Sequence, residues 1–302
     1  MNSARWLSRV YRRLPVVREL RDIQSSLAAM SGPLRVLETT AMIQALASFK
    51  ANDVRYGDSR RLLLHGAQYW SQNLEDGMTA EIFRRIGSPN RTFLEIGVGD
   101  GSETNTTFLL ALGWSGWWIE ASHHDCSAVS TRLREMPSLA SRLKLRQGIA
   151  TPDNVMSLLR EMGVPDEVDL FSLDIDLNTY HLWAALGELR PRVVIVEYNA
   201  AIPPDQSWIH PFEPGRDWDH SQAFGASLKA YELLGRKLGY SLVGCDLAGI
   251  NAFFVREDLV GDRFAPPFTA ENHYQPPRYG LSFRFAHKRL FFGESHVPLE
   301  TP

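Results

Sequence analysis

Cysteine is nearly missing from this chain: Cys126 and Cys245 are the only two in 302 residues. Two such thiols make neither a disulfide framework nor a thiolate metal cluster, and this usage suits a reducing cytoplasm. Long apolar runs are lacking too, so no segment reads as a membrane span. Arginines interrupt every apolar stretch near the N-terminus, which argues against a cleaved signal peptide. An excess of one charge sign is also absent. The net charge is −3 at pH 7, and nothing global recruits nucleic acid or an acidic membrane. No internal repeat or low-complexity tract shows. What remains is ordinary soluble composition on a chain long enough to bury a full core, expected in the cytoplasm.

The most informative stretch runs from Thr92 to Glu120. Thr92, Phe93, Leu94 and Ile96 form the short apolar run of a buried parallel strand. The turn Gly97-Val98-Gly99-Asp100-Gly101 then reverses the chain, and glycine permits positive φ and close approach of a ligand to bare backbone. Ser102 or Thr104 is placed to cap a short helix that stops at Gly113. Trp117-Trp118-Ile119 leads to Glu120, an acid at a second strand tip, where both ribose hydroxyls of an adenosine ligand are commonly held. Nicotinamide and flavin sites prefer G-x-G-x-x-G. Here the glycines fall at 97, 99 and 101 with Glu95 two places before them. That E-x-G-x-G-x-G spacing is similar to motif I of S-adenosylmethionine (SAM) methyltransferases and disfavours an NAD-linked oxidoreductase.

The rest of the chain alternates. Residues 1–55 stand apart as a helical extension. Within them Trp6, Leu7, Val10, Tyr11 and Leu14 recur at helical spacing among Arg5, Arg9, Arg12, Arg13, Arg18 and Arg21. Residues 1–22 are thus a candidate for contact with an anionic membrane surface, a partner enzyme or a second copy of the chain, against the plainer reading of a helix packed on its own core. Further strands are expected near 143–145, 168–173, 193–196, 241–245 and 251–255. Helices are expected over 127–136, 154–162, 181–189 and 226–238. The last two strands are joined by a tight turn at Gly249 and should pair antiparallel. Strands alternating with helices predict a doubly wound α/β sheet over residues 56–260. Residues 261–302, rich in proline and aromatics, should pack on it as a tail.

Several blocks together resemble the FkbM-type SAM-dependent methyltransferases over about residues 65–258. They are Ser71–Gly77, Phe93–Thr107, Ser115–Ser122, Leu173–Tyr180, Val193–Ala200, Phe224–Ala230 and the final hairpin. The resemblance implies a Rossmann-like, seven-stranded class I methyltransferase sheet ordered 3-2-1-4-5-7-6. It also implies methyl transfer from SAM to an oxygen, often on a saccharide or glycan-linked natural product, as in polysaccharide biosynthesis. Carried onto this sequence, the SAM contacts are Glu95, Gly97, Gly99, Asp100, Gly101, Asn105, Glu120, Ser122, Thr151 and Asp174. Leu74, Leu177 and Thr179 depart from the pattern, with Leu177 standing where the family has glycine.

Ligands of open α/β sheets bind beyond the strand C-termini, where Asp174, Asp176, Glu197 and Asn199 fall. A sugar hydroxyl is a weak acid and needs a base or a metal to react. Asp174 or Asp176 is a candidate base, with His181 beside them. In the metal reading Asp174, Glu197 and Asn199 hold Mg²⁺. In a third reading Asp174 only binds the SAM amine or caps a helix. The long loop 200–222 offers Asp217, Trp218 and His220 as acceptor contacts, since a sugar ring stacks on indole and its hydroxyls donate to carboxylates. His210, Asp219, His273, Tyr274 and Arg278 are further candidates. Glu75 and Asp76 read equally as a dipole-matched helix start or as part of a lid. A different class of function, a catalytically silent SAM-fold scaffold that binds partner proteins, is disfavoured by the intact glycines and Glu120. The acceptor is expected near the cytoplasmic face of a membrane.

Overall fold

The computed structural model describes residues 37, 40–49, 51–215 and 221–278. The chain divides into two compact units, Met1–Ala45 and Leu46–Pro302. Of the first unit only residue 37 and helical residues 40–45 are described, so the basic segment 1–22 lies outside the described residues. Everything below concerns the second unit. Among the described residues no helix is long and apolar enough to cross a membrane.

Seven strands form one sheet: β1 (Thr92–Ile96), β2 (Ser115–Glu120), β3 (Leu143–Gln147), β4 (Leu170–Leu173), β5 (Val193–Glu197), β6 (Tyr240–Cys245) and β7 (Asn251–Arg256). Their order is β3-β2-β1-β4-β5-β7-β6, the class I methyltransferase arrangement. β7 runs antiparallel to β5 and β6, and the other pairs are parallel. The central strands read as unbroken apolar runs because helices cover both faces. Val193, Val194, Ile195 and Val196 are all fully buried. β3, at the edge, instead exposes Lys144 and Arg146, and charge on an edge deters pairing with other chains.

Local chemistry sets the helix boundaries. Ser122 accepts the Asp125 N–H and opens His123–Glu135. Ser227 accepts the Ala230 N–H and opens Leu228–Lys237. Both are N-cap residues of the preferred type. Gly163 closes Val155–Met162 in the left-handed conformation. The helix after the glycine turn covers only Thr107–Ala111, and Thr104 Oγ1 accepts the Thr107 N–H at 2.9 Å. The N-cap position itself falls to Thr106, so neither Ser102 nor Thr104 occupies it, and Thr104 only satisfies the first helical N–H.

Residues 257–278 pack on the sheet, with Phe264 and Ala270 fully buried; residues 279–302 lie outside the described residues. Tyr198 Oη donates to the Gln275 carbonyl at 2.7 Å, and Tyr274 Oη to the Ala200 carbonyl at 2.6 Å. Arg278 donates to the Leu247 carbonyl at 2.9 Å. His273 is buried, and that burial depresses its pKa to about 3. Of the three expected acceptor contacts, Tyr274 and Arg278 thus hold the chain that follows β5 and β6, and His273 is buried beside Ala265 and Pro267.

Candidate active site

The C-terminal ends of β1, β2 and β4 are laced together. The Gly97 N–H donates to the Ile119 carbonyl at 2.9 Å and the Asp174 N–H to the Ile96 carbonyl at 3.0 Å. Gly97 has φ 85°, and a Cβ there would lie 1.7 Å from the Asp174 carbonyl oxygen. Only glycine fits. Beyond this junction opens a cleft of about 450 Å³ whose walls include Gly97, Gly99, Glu120, Ile149, Asp174 and Asn178. A concave site where the strand order reverses is the expected ligand position in this fold.

Glu120 stands at the tip of β2. Its Oε2 accepts the Gly99 N–H at 2.8 Å and its Oε1 the Ser122 N–H at 2.7 Å. A carboxylate has about four acceptor sites, so two backbone bonds orient it and leave capacity for a ligand diol. Ser122 is consumed by this bond and by its cap, and it does not line the cleft.

Glu95 has a different role from the one expected. It is 3% exposed and does not line the cleft. Oε1 accepts the Asn105 N–H at 3.0 Å, and Oε2 accepts Thr106 Oγ1–H. Thr106 in turn accepts the Trp118 indole N–H at 2.8 Å. Burial pushes the Glu95 carboxyl up to about 7. It braces the turn from below, and Asn105, whose Nδ2 donates to Ser172 Oγ at 3.1 Å, belongs to the same brace.

Asp100 and Gly101 face away from the cleft. Ser102 and the Arg132 guanidinium, 2.7 Å away, hold the Asp100 carboxyl down at about 2. A Cβ on Gly101 would meet the Trp118 ring at 3.0 Å, so this glycine serves packing. Thr151 does not line the cleft; its N–H donates to Asn154 Oδ1 at 2.8 Å, while Asn154 Nδ2 donates to the Ile149 carbonyl at 2.9 Å. That closed turn presents Ile149, 59% exposed, to the cleft. Neither Ile149 nor Asn178 was singled out by spacing. An apolar side chain in the polar turn after β3 is the signal that points to Ile149.

At the other end, Asp174, Asp176 and Glu197 each offer a carboxylate oxygen within 4.8 Å of the other two. Burial and the charge of Asp176 push Asp174 up to about 7. Burial, Asp174 and Asp176 raise Glu197 as well. Asp176 adopts φ 53°, a left-handed conformation unusual outside glycine that Asp tolerates better than most residues. Asn199 is not part of this group. It is fully buried, its Nδ2 donates to the Gln222 and Phe224 carbonyls, and its Oδ1 accepts the Ala201 N–H at 3.1 Å. The third convergent oxygen comes from Asp176 instead.

His181 is also turned elsewhere. Its Nε2 donates to the His210 carbonyl at 2.8 Å, its ring meets Phe212 edge-on, and it does not line the cleft. That nitrogen carries a proton already and is no base. His210 is bonded to the Pro211 carbonyl and packs on Trp208. Asp217, Trp218, Asp219 and His220 lie outside the described residues; Gly215, just before them, lines the cleft.

Leu177 is buried and does not line the cleft, so it packs inward. Thr179 Oγ1 accepts the Ile175 N–H at 3.1 Å. Leu74, the third departure, is core. The block around it is a buried knot. Asp76 Oδ2 accepts the N–H groups of Tyr69, Trp70 and Ser71 at 2.7, 2.6 and 2.9 Å. Glu75 accepts from Asn73 and, at 2.9 Å, from Asn251 Nδ2 on β7. This favours the structural reading of Glu75 and Asp76 over a lid. Tyr69 and Trp70 are exposed on its outer side and stack on Phe108.

No protein family model matches the chain, and no curated protein matches it. Solved structures do. One is the magnesium protoporphyrin IX methyltransferase ChlM from Synechocystis PCC 6803 with bound SAM, at 12% identity, 72% of this chain, 97% of that chain and TM-score 0.40. The glycopeptide N-methyltransferase MtfA complexed with SAM matches at 14% identity, 59% of this chain, 86% of that chain and TM-score 0.36. WbdD matches at 16% identity, 62% of this chain, 40% of that chain and TM-score 0.37. These are likenesses of fold. The strand order seen directly in the chain is what fixes its class.

Proposed function

We propose that this chain transfers a methyl group from SAM to a hydroxyl of a saccharide, in cell-surface glycan or glycosylated natural-product synthesis. The observation that carries this reading is the cleft: bare backbone at Gly97 and Gly99, an oriented carboxylate at Glu120, and convergent carboxylates at the opposite end. In this reading Glu120 accepts the two ribose hydroxyls, Ile149 covers an adenine face, and the glycines let the ligand lie against the turn. The bound SAM supplies an electrophilic methyl group. The chain has to align the acceptor oxygen with it and remove one proton.

Asp174 is the base of choice, because a carboxyl raised to about 7 changes protonation near neutral pH. Asp176 beside it accepts hydrogen bonds from acceptor hydroxyls. The same three oxygens, all hard donors, suit a divalent cation such as Mg²⁺. Asp174, Asp176 and Glu197 would hold it, and it would lower the pKa of the acceptor hydroxyl. The resemblance of the sequence blocks to FkbM-type enzymes supports the choice of oxygen and saccharide.

Calorimetry with SAM and S-adenosylhomocysteine (SAH) tests the reading. Both should bind, and Glu120→Ala should weaken each by about 10- to 100-fold, the loss of charge-assisted bonds to the ribose. A folded wild-type chain that binds neither overturns the enzyme and leaves a scaffold.

A further inference from the structure

One wall of the cleft is tied to a side chain at its edge. Asn178 ends the short 3₁₀ turn Asp176–Asn178 and lines the cleft. Its Nδ2 donates to the Glu213 carbonyl at 3.0 Å, and its Oδ1 accepts the Glu213 N–H at 3.2 Å. Both halves of the amide therefore read the backbone of one residue 35 positions away, as a neighbouring strand would. Glu213 is followed by Pro214, which has no N–H to give, and by Gly215, which turns at φ 71° and lines the cleft.

The far limb of this loop is held differently. Ile209 pairs with Ala226, the His210 N–H donates to the Gly225 carbonyl at 2.8 Å, and the Asn199 amide holds Gln222 and Phe224. On the limb that borders the cleft, the Asn178 amide holds Glu213, and His181 donates to the His210 carbonyl at 2.8 Å. Only the first of these two side chains touches both the wall and the cleft.

We infer that Asn178 is a positioning residue that fixes Glu213–Gly215 as the acceptor-side wall, and thereby limits what size of acceptor reaches Asp174 and Asp176. This deepens the methyl-transfer reading and rests on it. The bonds are neutral, so the wall is held by geometry rather than charge. An Asn is suited to the task because it supplies one donor and one acceptor in a plane.

Two variants test the inference in the full-length protein, with SAH as the probe. In Asn178→Ala, amide hydrogen exchange at Phe212, Glu213 and Gly215 should rise about ten-fold while His210, held by Gly225, stays protected, and SAH should dissociate faster by about the same factor. Asn178→Asp keeps the acceptor for the Glu213 N–H and loses the donor. It should keep the Glu213 amide protected and release SAH at a rate between the other two. Unchanged exchange and release in Asn178→Ala overturn the inference. So does acceleration spread over the whole domain with a lower melting temperature, which marks a merely structural loss. If the wild type binds no SAH, the methyl-transfer reading fails, and the exchange at Phe212, Glu213 and Gly215 alone still decides whether Asn178 holds the wall.

Discussion

The chain carries two groups of acids that look alike in sequence and differ in the donors supplied to them. In the knot, Asp76 accepts three backbone N–H groups, Glu75 accepts from Asn73 and Asn251, and Asp246 accepts the N–H groups of Ala248, Ile250 and Asn251. All three are buried, and their oxygens organise the chain around them. Asp174 and Asp176, which line the cleft, and Glu197, which does not, crowd their oxygens together, each raising another's pKa or being raised by it. One group has been supplied with donors and stabilises the fold, even though burial and the charge of Glu75 push Asp246 up to about 7. The other is held in mutual repulsion, the state in which a ligand, a proton or a cation has most to offer.

Substitutions should separate the two groups by sign. The largest effect is expected in the knot. Asp76→Ala strands three N–H groups of a buried loop and should cost about 3–5 kcal/mol, read as a lower denaturant midpoint. An unchanged midpoint would erase the distinction between the groups.

In the cleft the expected change runs the other way. Asp174→Asn removes a group whose folded pKa, about 7, lies above its ordinary value of 3.8. Between those values the unfolded chain gives up the proton that the folded chain retains, so wild-type stability falls as pH rises from about 4 to 7. The variant escapes that fall. Its melting temperature should gain about 2–4 °C on the wild type across this window and hold the gain above it, while methyl transfer is lost. A gap independent of pH would show that Asp174 is not held protonated by its surroundings.

The smallest effect is the sharpest test of design. Asp176→Gly relieves a left-handed backbone conformation that Gly adopts freely, and should stabilise by about 0.5–1 kcal/mol. The same change removes an acceptor-side carboxylate and should abolish transfer. A stabilising change that destroys activity is the mark of a residue kept for function.

Sequence alone made the sheet legible because its central strands are buried on both faces and read as apolar runs, and because turns at Gly97 and Gly249 punctuate them. Gly97, Gly99 and Glu120 were legible as one strand-edge group for the same reason: their positions depend on neighbours a few residues away and on one adjacent strand. Asp100 was misread because the partner that turns it aside, Arg132, lies 32 residues on. Asn199 sat at the right strand end but is claimed by carbonyls 23 and 25 residues later. The inward role of Glu75 waits on Asn251, 176 positions away. The third convergent carboxylate, Asp176, depends on a backbone dihedral that no periodicity encodes.

The sheet order also has a consequence for how the protein is made. β5 is flanked by β4 and β7, and β7 is the last strand among the described residues to leave the ribosome. Until then the Val193–Val196 run has one open, wholly apolar side, the kind of edge that pairs with other chains. Every cleft residue described above is already translated at that stage. A nascent chain halted before Asn251 therefore holds every described cleft residue on a sheet that invites aggregation, and its safe passage rests on how quickly the final hairpin arrives or on a chaperone that shields β5 meanwhile.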